Sequence, residues 1–335
     1  MLLDAFGPAT GRDRGTSRGR FARRIAVIFF VLLIVVTAGV GAGYLALLNH
    51  AVTTNVVHQA LLPPDTETAP RRDAAAGSAQ NILFIGSDAL PGQGQGRGRS
   101  DVIVLMHINR STSKVYLVHF PRDLYVDIPG HSKNKINAAY AFGGAPLLVR
   151  TLQKLVAVPI DHVAMVGFEG FKTMTDAVGG VNVYAEEPST GFHRGYNMLN
   201  GEQALAFVRE RHQLSRGDIS RGRRQEAFIK ALMLKALSKR VLGNPLTFAH
   251  LVQAGTKNLT VDNGFSVSEM RSQALGMRAI HGGDIVFITA PFSGFGMSPA
   301  GASIDNVDTQ RMAQLSVAVR RDAMETYPVQ DGTIP

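Results

Sequence analysis

The chain has 335 residues, 35 Lys and Arg against 26 Asp and Glu for a net charge of +9, no Cys, no Trp and 45% apolar residues. That length suits one large domain or two modest ones, and the apolar share excludes wholesale disorder. Without Cys there are no disulfides, thiolate zinc sites or cysteine nucleophile, and the basic excess calls for an anionic partner.

Residues 1–24 carry six Arg against two Asp, and residues 25–49 then run for 25 positions without a charged side chain. At ~1.5 Å per residue this run crosses a hydrocarbon core of ~30 Å, and it far exceeds the ~7–15 residue core of a cleaved signal peptide. The basic flank holds the amino terminus in the cytoplasm. The sequence therefore predicts a cytoplasmic tail at 1–24, a membrane-spanning helix at 25–49, and everything after residue 50 outside the cell. Residues 50–79 turn rich in Pro, Ala, Thr and Gly and read as a linker.

Beyond it, strand-like and helix-like patterns alternate. Residues 81–85 (NILFI), 101–108 (DVIVLMHI) and 114–120 (KVYLVHF) are β-rich, the last two separated by a hairpin loop at 109–113. Residues 138–156 place Leu147, Leu148, Thr151, Leu152 and Leu155 at helical spacing. A strand at 162–168, a helix at 169–177 and a strand at 181–184 follow. Helices at 200–211, 219–240, 249–255 and 266–277 come next, then a strand at 284–289 and a helix at 308–324. This mixed order predicts one α/β domain over 80–325, with helices on the faces of a sheet, and a short tail at 326–335.

Polar residues at the strand ends carry the candidate chemistry. Asp88 follows the NILFI run, where an open α/β sheet places its ligands, and Asp101 heads the next strand after the loop PGQGQGRGRS. Two carboxylates returned to one sheet edge suit a hard cation such as Mg²⁺, which keeps waters and accepts phosphate oxygens. A turn residue and a strand cap are the plainer roles for the same two residues. The loop lacks the Lys-Ser/Thr ending of a nucleotide P-loop and leads into a strand, so an ATPase of that kind is excluded.

Arg97 and Arg99 flank this loop, Arg122 with Asp123 follows the 114–120 strand, and Arg209, Arg211, Arg216, Arg221, Arg223 and Arg224 fall within 16 residues. Guanidinium forks grip phosphate oxygens bidentately and keep their charge, which suits a pyrophosphate. Arg216 and Arg223 are assigned to a solvated face. On a helix from residue 219, Arg221, Arg224, Gln225 and Phe228 share one face. Asp218 ahead of it suits an N-cap or a catalytic role equally. The ten His show no metal-ligand spacing.

Taken together, NILFIGSD, GRSDVIVLMHINRSTSKVYLVHFPRDLYVDIPG, KINAAYAFGG, DAVGGVNV and LNGEQALAFVRERHQLSRGDISRGRRQ resemble the LytR-CpsA-Psr proteins, which attach cell-wall glycopolymers to peptidoglycan. The resemblance covers about residues 79–325. It implies a three-layer α/β/α domain with a mixed central sheet that binds a polyprenyl-pyrophosphate-linked glycan, the lipid lying in an apolar groove. Carried over by motif, Asp88 and Asp101 contact Mg²⁺. Arg99, Arg122, Arg209, Arg211, Arg221, Arg224 and Gln225 hold the pyrophosphate, with Lys135 and Asn137 supporting them. Asp88, Asp101, Arg122, Asp218 and Arg221 are the implied catalytic group. The stretch HQLSRG departs from the acidic segment frequent in relatives, so no role is carried over from it.

The implied reaction is attack of a peptidoglycan hydroxyl on the glycan-side phosphorus, expelling polyprenyl phosphate, with pyrophosphate hydrolysis as a side outcome. Two other classes compete. A membrane-anchored transcriptional attenuator would need a nucleic-acid reader in the cytoplasm, where only some 24 residues lie. A non-catalytic binder of anionic wall polymer would use the same basic charge.

Overall fold

A computed structural model of the chain describes residues 46, 50–51, 53–64, 69–87, 98, 100–109, 114–210, 213–215, 218–236, 238–277, 280 and 282–328. The chain divides into two units, residues 1–50 and 51–335, and the second holds all the elements named below. Apart from Ala46, the predicted spanning segment lies outside the described residues. Among the described residues no helix is long and apolar enough to cross a membrane.

In chain order the elements are β1 (Val57–Gln59), β2 (Gln80–Ser87), β3 (Ser100–Ile108), β4 (Val115–His119), β5 (Leu124–Val126), β6 (Asn134–Lys135), α1 (Ile136–Val156), β7 (His162–Gly167), α2 (Phe168–Ala177), β8 (Val181–Ala185), β9 (Gly195–Leu199), α3 (Gly201–Arg209), α4 (Asp218–Ala236), α5 (Lys239–Leu242), α6 (Pro245–Thr256), β10 (Leu259–Asp262), α7 (Val267–Gly276), β11 (Ile285–Thr289), β12 (Phe292–Met297), β13 (Ser303–Val307) and α8 (Thr309–Arg320). Seven strands form the central sheet in the order β1-β10-β7-β2-β3-β4-β11. Its pairings are mixed: β3 is antiparallel to both neighbours, whereas β2 with β7 and β4 with β11 are parallel.

Both faces are buried, which explains why NILFI is an unbroken apolar run. Leu83 and Ile85 pack with Leu148, Leu152, Leu315 and Val319 of α1 and α8. Ile82 and Phe84 point the other way, into a cluster that includes Met233 of α4 and Met270 of α7. The expected three-layer arrangement with a mixed sheet is therefore present. Helix α1 breaks at Gly143 and Gly144, the latter at φ 65°, a conformation that favours glycine, and Pro146 restarts the helix without needing the lost N–H.

The linker expectation for 50–79 needs correction. Val57–Gln59 pairs parallel with β10 at the sheet edge, Leu61 is buried in the α1/α8 cluster, and Arg72 donates to Ala79 O and Asp161. A few apolar residues in a polar stretch suffice to add an edge strand. The 219–240 helix also stops at Ala236, and α5 follows.

Where β7 pairs with β10, His162 Nδ1 lies 3.3 Å from Asp262 and Nε2 lies 3.3 Å from Glu269, with the ring stacked 4.1 Å from Phe265. Burial pulls His162 down, but the two carboxylates outweigh it and hold its pKa above the ordinary value. This contribution is complete below the unfolded histidine value of ~6.5 and fades as pH rises through the higher folded value. The wild type is expected to exceed His162→Gln by about 1–2 kcal/mol in urea unfolding near pH 5.5, with the margin shrinking by pH 8. A margin that grows with pH contradicts this reading.

Candidate functional site

Strand β2 ends at Ser87, one residue before Asp88, and Ser87 is registered with Ser100, one residue before Asp101. The register shifts between Gly86 and Ser87, and a Cβ on Gly86 would sit 2.8 Å from Val102 Cβ, so a side chain there would force the two strands apart. Ser100 is fully buried, and its hydroxyl has no hydrogen-bond partner among the described residues. Phe120 N–H donates to Ile103 O at 2.8 Å, which turns the Pro121–Arg122–Asp123 corner out beside the start of β3.

Asp88, Arg99 and Arg211 lie outside the described residues, and Asp101 and Asp218 are placed by backbone alone. Asp101 is the second residue of β3, and Asp218 opens α4. Among the described residues no group of three or more His, Asp or Glu could hold a metal.

The small sheet β12-β13-β5-β6 gathers a second set of charges. Asp123 bridges two expected cations, with Lys135 Nζ at 2.7 Å and Arg122 Nε at 3.7 Å. Asn137 is buried and its N–H donates to Arg122 O at 3.2 Å, so the KIN segment fixes the PRD corner. Asp305 arrives from β13, which lies parallel to β5, and its N–H donates to Asp123 O at 3.0 Å. Burial first, and then the Asp123 charge, push the Asp305 carboxyl up to about 6, against the pull of Lys135 and Arg122.

The remaining arginines hang on α3 and α4. A capping box between Asn200 and Gln203 starts α3, and Arg209 is exposed in its last turn. Arg221, Arg224 and Gln225 are buried on one face of α4. Arg224 donates to Ser189 Oγ at 3.0 Å and Glu187 O at 2.9 Å, and its guanidinium lies 4.4 Å over the Phe207 ring. Gln225 donates to Val208 O at 3.4 Å. These two side chains clamp α4 to α3 and to the segment after β8, with one N–H each of Arg224 Nη1 and Nη2 spent on those bonds.

Burial works to raise the Glu187 carboxyl, but hydrogen bonds from Ser220 and Ser215 and the charge of Arg224 outweigh it and hold it low. Arg223 pairs with Glu186 at 2.6 Å on the exposed side, as assigned from sequence.

A shallow, predominantly apolar crevice with about 10 Å³ of free space, lined by Val104, Leu117, His119, Ile229, Phe287 and Ile288, lies between α4 and the sheet. His119 stands three residues before Arg122, and Ile229 follows Arg221 by eight residues, ~12 Å along the helix. The sequence reading missed Asp305 and Glu187. Neither carries a local signal, since each acts through a partner distant in sequence.

The Asp305 carboxyl binds its proton more tightly folded than unfolded, so the fold loses stability as pH rises from ~4 towards 6. Asp305→Asn is expected to be more stable than wild type at pH 7.5 by about 1 kcal/mol, after solvent screening of a partly exposed group. The two should unfold alike near pH 3.5. A variant less stable than wild type at pH 7.5 in urea titration refutes this.

The LytR_cpsA_psr family profile matches residues 45–325. The polyisoprenyl-teichoic acid–peptidoglycan teichoic acid transferase TagU of Bacillus cereus is 34% identical over 252 residues, covering 72% of this chain and 82% of that protein. Its namesake from Oceanobacillus iheyensis is 36% identical over 242 residues, covering 68% of this chain and 74% of its own length. Among solved structures, Bacillus subtilis TagV superposes with a TM-score of 0.60 at 26% identity, over 73% of this chain and 97% of that one. With the sheet, the PRD corner and the arginine-bearing helix all in place, the chain belongs to the LytR-CpsA-Psr family.

Proposed function

We propose that this protein is a phosphotransferase that moves a glycopolymer from a polyprenyl-pyrophosphate carrier to a hydroxyl of peptidoglycan, outside the cell and anchored by residues 25–49. The observation that carries the reading is convergence: Ser87 and Ser100, the 119–123 corner and residues 134–137 are far apart in sequence, yet meet at one end of the sheet, where Ile229 of α4 also packs. The names of the relatives, transferases of teichoic acid to peptidoglycan, support the same chemistry.

Arg122, Lys135 and Arg221 bind and orient the pyrophosphate, since phosphoryl transfer needs in-line positioning and neutralised oxygens more than covalent help. Arg209 adds to this charge, as do Arg99 and Arg211 by their motifs, while Arg224 and Gln225 hold α4 in place. Asp123 keeps Lys135 and Arg122 from drifting apart when no anion is bound. The lipid enters by parting α4 from the sheet at Val104, Leu117, Ile229 and Phe287, where burial of each prenyl methylene contributes ~0.8 kcal/mol. The acceptor hydroxyl attacks the glycan-side phosphorus, the bond to the bridging oxygen breaks, and polyprenyl phosphate leaves. The hydroxyl proton passes to one of Asp88, Asp101 or Asp218.

Asp88 and Asp101 would hold Mg²⁺. The Ser87–Ser100 register, which brings their flanking positions together, fits such a site, as does the orphaned Ser100 hydroxyl beside it. The ion, when bound, supplies positive charge to the diphosphate oxygens.

The test incubates the full chain in detergent with Mg²⁺, a synthetic polyprenyl-pyrophosphate disaccharide and uncross-linked peptidoglycan strands, and seeks the phosphodiester-joined product by mass spectrometry. Asp101→Asn and Arg221→Lys are each expected to slow transfer by about a hundredfold or more, with the melting temperature nearly unchanged. Free glycan phosphate without coupling favours hydrolysis. Unchanged anionic-polymer binding with no product in any variant favours the non-catalytic binder.

A further inference from the structure

Strands β8 and β9 form a two-stranded ribbon of their own, and its two faces differ. Val181, Val183, Ala185 and Leu199 point inward and pack with Phe207, Phe228 and Leu232. The outward pairs are Asn182 with Met198 and Tyr184 with Tyr196. Tyr196 is 52% and Met198 61% exposed, and the two tyrosine rings meet edge-on at 5.3 Å between centroids. An outward ribbon face is ordinarily polar, whereas three of these four positions are apolar or aromatic and two of them are well exposed.

The ribbon is also rigid. Buried Asn197 donates to His193 O at 2.8 Å and Gly195 O at 2.9 Å and accepts from His193 N–H at 3.1 Å, which locks the approach to β9. Beside Tyr184 lies a shallow polar depression with about 10 Å³ of free space, lined by Glu186, Glu187, Ser220, Arg223 and Arg224. Its charges cancel: Arg223 pairs with Glu186, and Arg224 faces Glu187. A pocket of compensated charge gives no grip to a polyanion, while its carboxylates and guanidinium offer acceptors and donors to hydroxyl and acetamido groups. Ser220, Arg223 and Arg224 of α4 line this pocket, so it lies on the same helix as Arg221.

We propose that the outward face of the β8–β9 ribbon, with Tyr184, Tyr196 and Met198, is the platform on which the N-acetylhexosamine strand of the peptidoglycan acceptor lies. Aromatic rings take the apolar face of a pyranose, methionine suits an acetamido methyl, and the neutral pocket selects this strand over a phosphodiester polymer. The proposal depends on the transferase reading only for the identity of the strand.

The test measures binding and kinetics separately on the full chain in detergent. In calorimetry with uncross-linked peptidoglycan strands, Tyr196→Ala and Met198→Ser are expected to weaken binding about fivefold each, leaving affinity for poly(glycerol phosphate) unchanged. In the transfer assay the KM for the strand rises by a similar factor and the KM for the pyrophosphate donor does not. Both side chains are exposed, and unchanged circular dichroism and melting temperature establish that the variants fold.

Wild-type strand affinity in both variants overturns the platform, as does a selective loss of poly(glycerol phosphate) binding. A change in sedimentation coefficient without a change in strand affinity overturns it too, by making the ribbon a contact between two copies. If the wild type transfers nothing, the transferase reading fails while the calorimetry still decides the platform.

Discussion

The site depends on one backbone constraint, the antiparallel return from β2 to β3 in the middle of the sheet. Ser87 is held against Ser100, and the strands approach so closely at Gly86 and Val102 that a side chain has no room. The loop of residues 88–99 can vary without separating its two ends, because eight registered pairs below it fix the spacing. Strand β4 is then laid antiparallel to β3, so it ends where β3 begins, and the Arg122 corner has nowhere else to emerge. A parallel connection at either step would carry one of these segments to the far end of the sheet.

Charge is the second constraint. A basic mouth without an anion would repel itself, and the fold manages this with acids placed behind the cations. Asp123 lies within ion-pairing distance of both Lys135 and Arg122, whereas the buried Asp305 of β13, pushed up to about 6 by burial and by Asp123, is a cost of this arrangement. Glu187 plays the part of Asp123 for Arg224. Guanidinium groups suit this arrangement, because their charge survives the burial seen at Arg221 and Arg224.

Much of this was legible in the sequence where the signal is local. The apolar runs at 81–85, 101–108 and 114–120 became central strands, and the NGEQ start of α3 became a capping box, because strand burial and helix capping are decided by neighbouring residues. The small sheet was not legible. Its strands β5 and β6 have three and two residues, and the pairing of Asp305 with Leu124 joins segments that no periodicity connects. Edge strand β1 was hidden for a similar reason, inside a stretch whose composition is that of a linker.

Within the site, residue types were readable and their burial was not. Arg223 and Arg224 are neighbours in sequence, yet one is solvated and the other is stacked on Phe207, because α4 turns ~100° per residue against the β8–β9 ribbon. The ribbon itself has no motif that marks its outer face.

The central claim is that a divalent ion and a diphosphate share one cavity at the end of β2 and β3. Replacing Mg²⁺ by Mn²⁺ in the full-length protein loaded with a polyprenyl-pyrophosphate disaccharide allows electron–nuclear double resonance to sense phosphorus directly bound through oxygen to the metal. The account predicts a phosphorus coupling in the wild type that disappears in Asp101→Asn. Manganese bound with no phosphorus coupling, or a coupling untouched by that substitution, contradicts it.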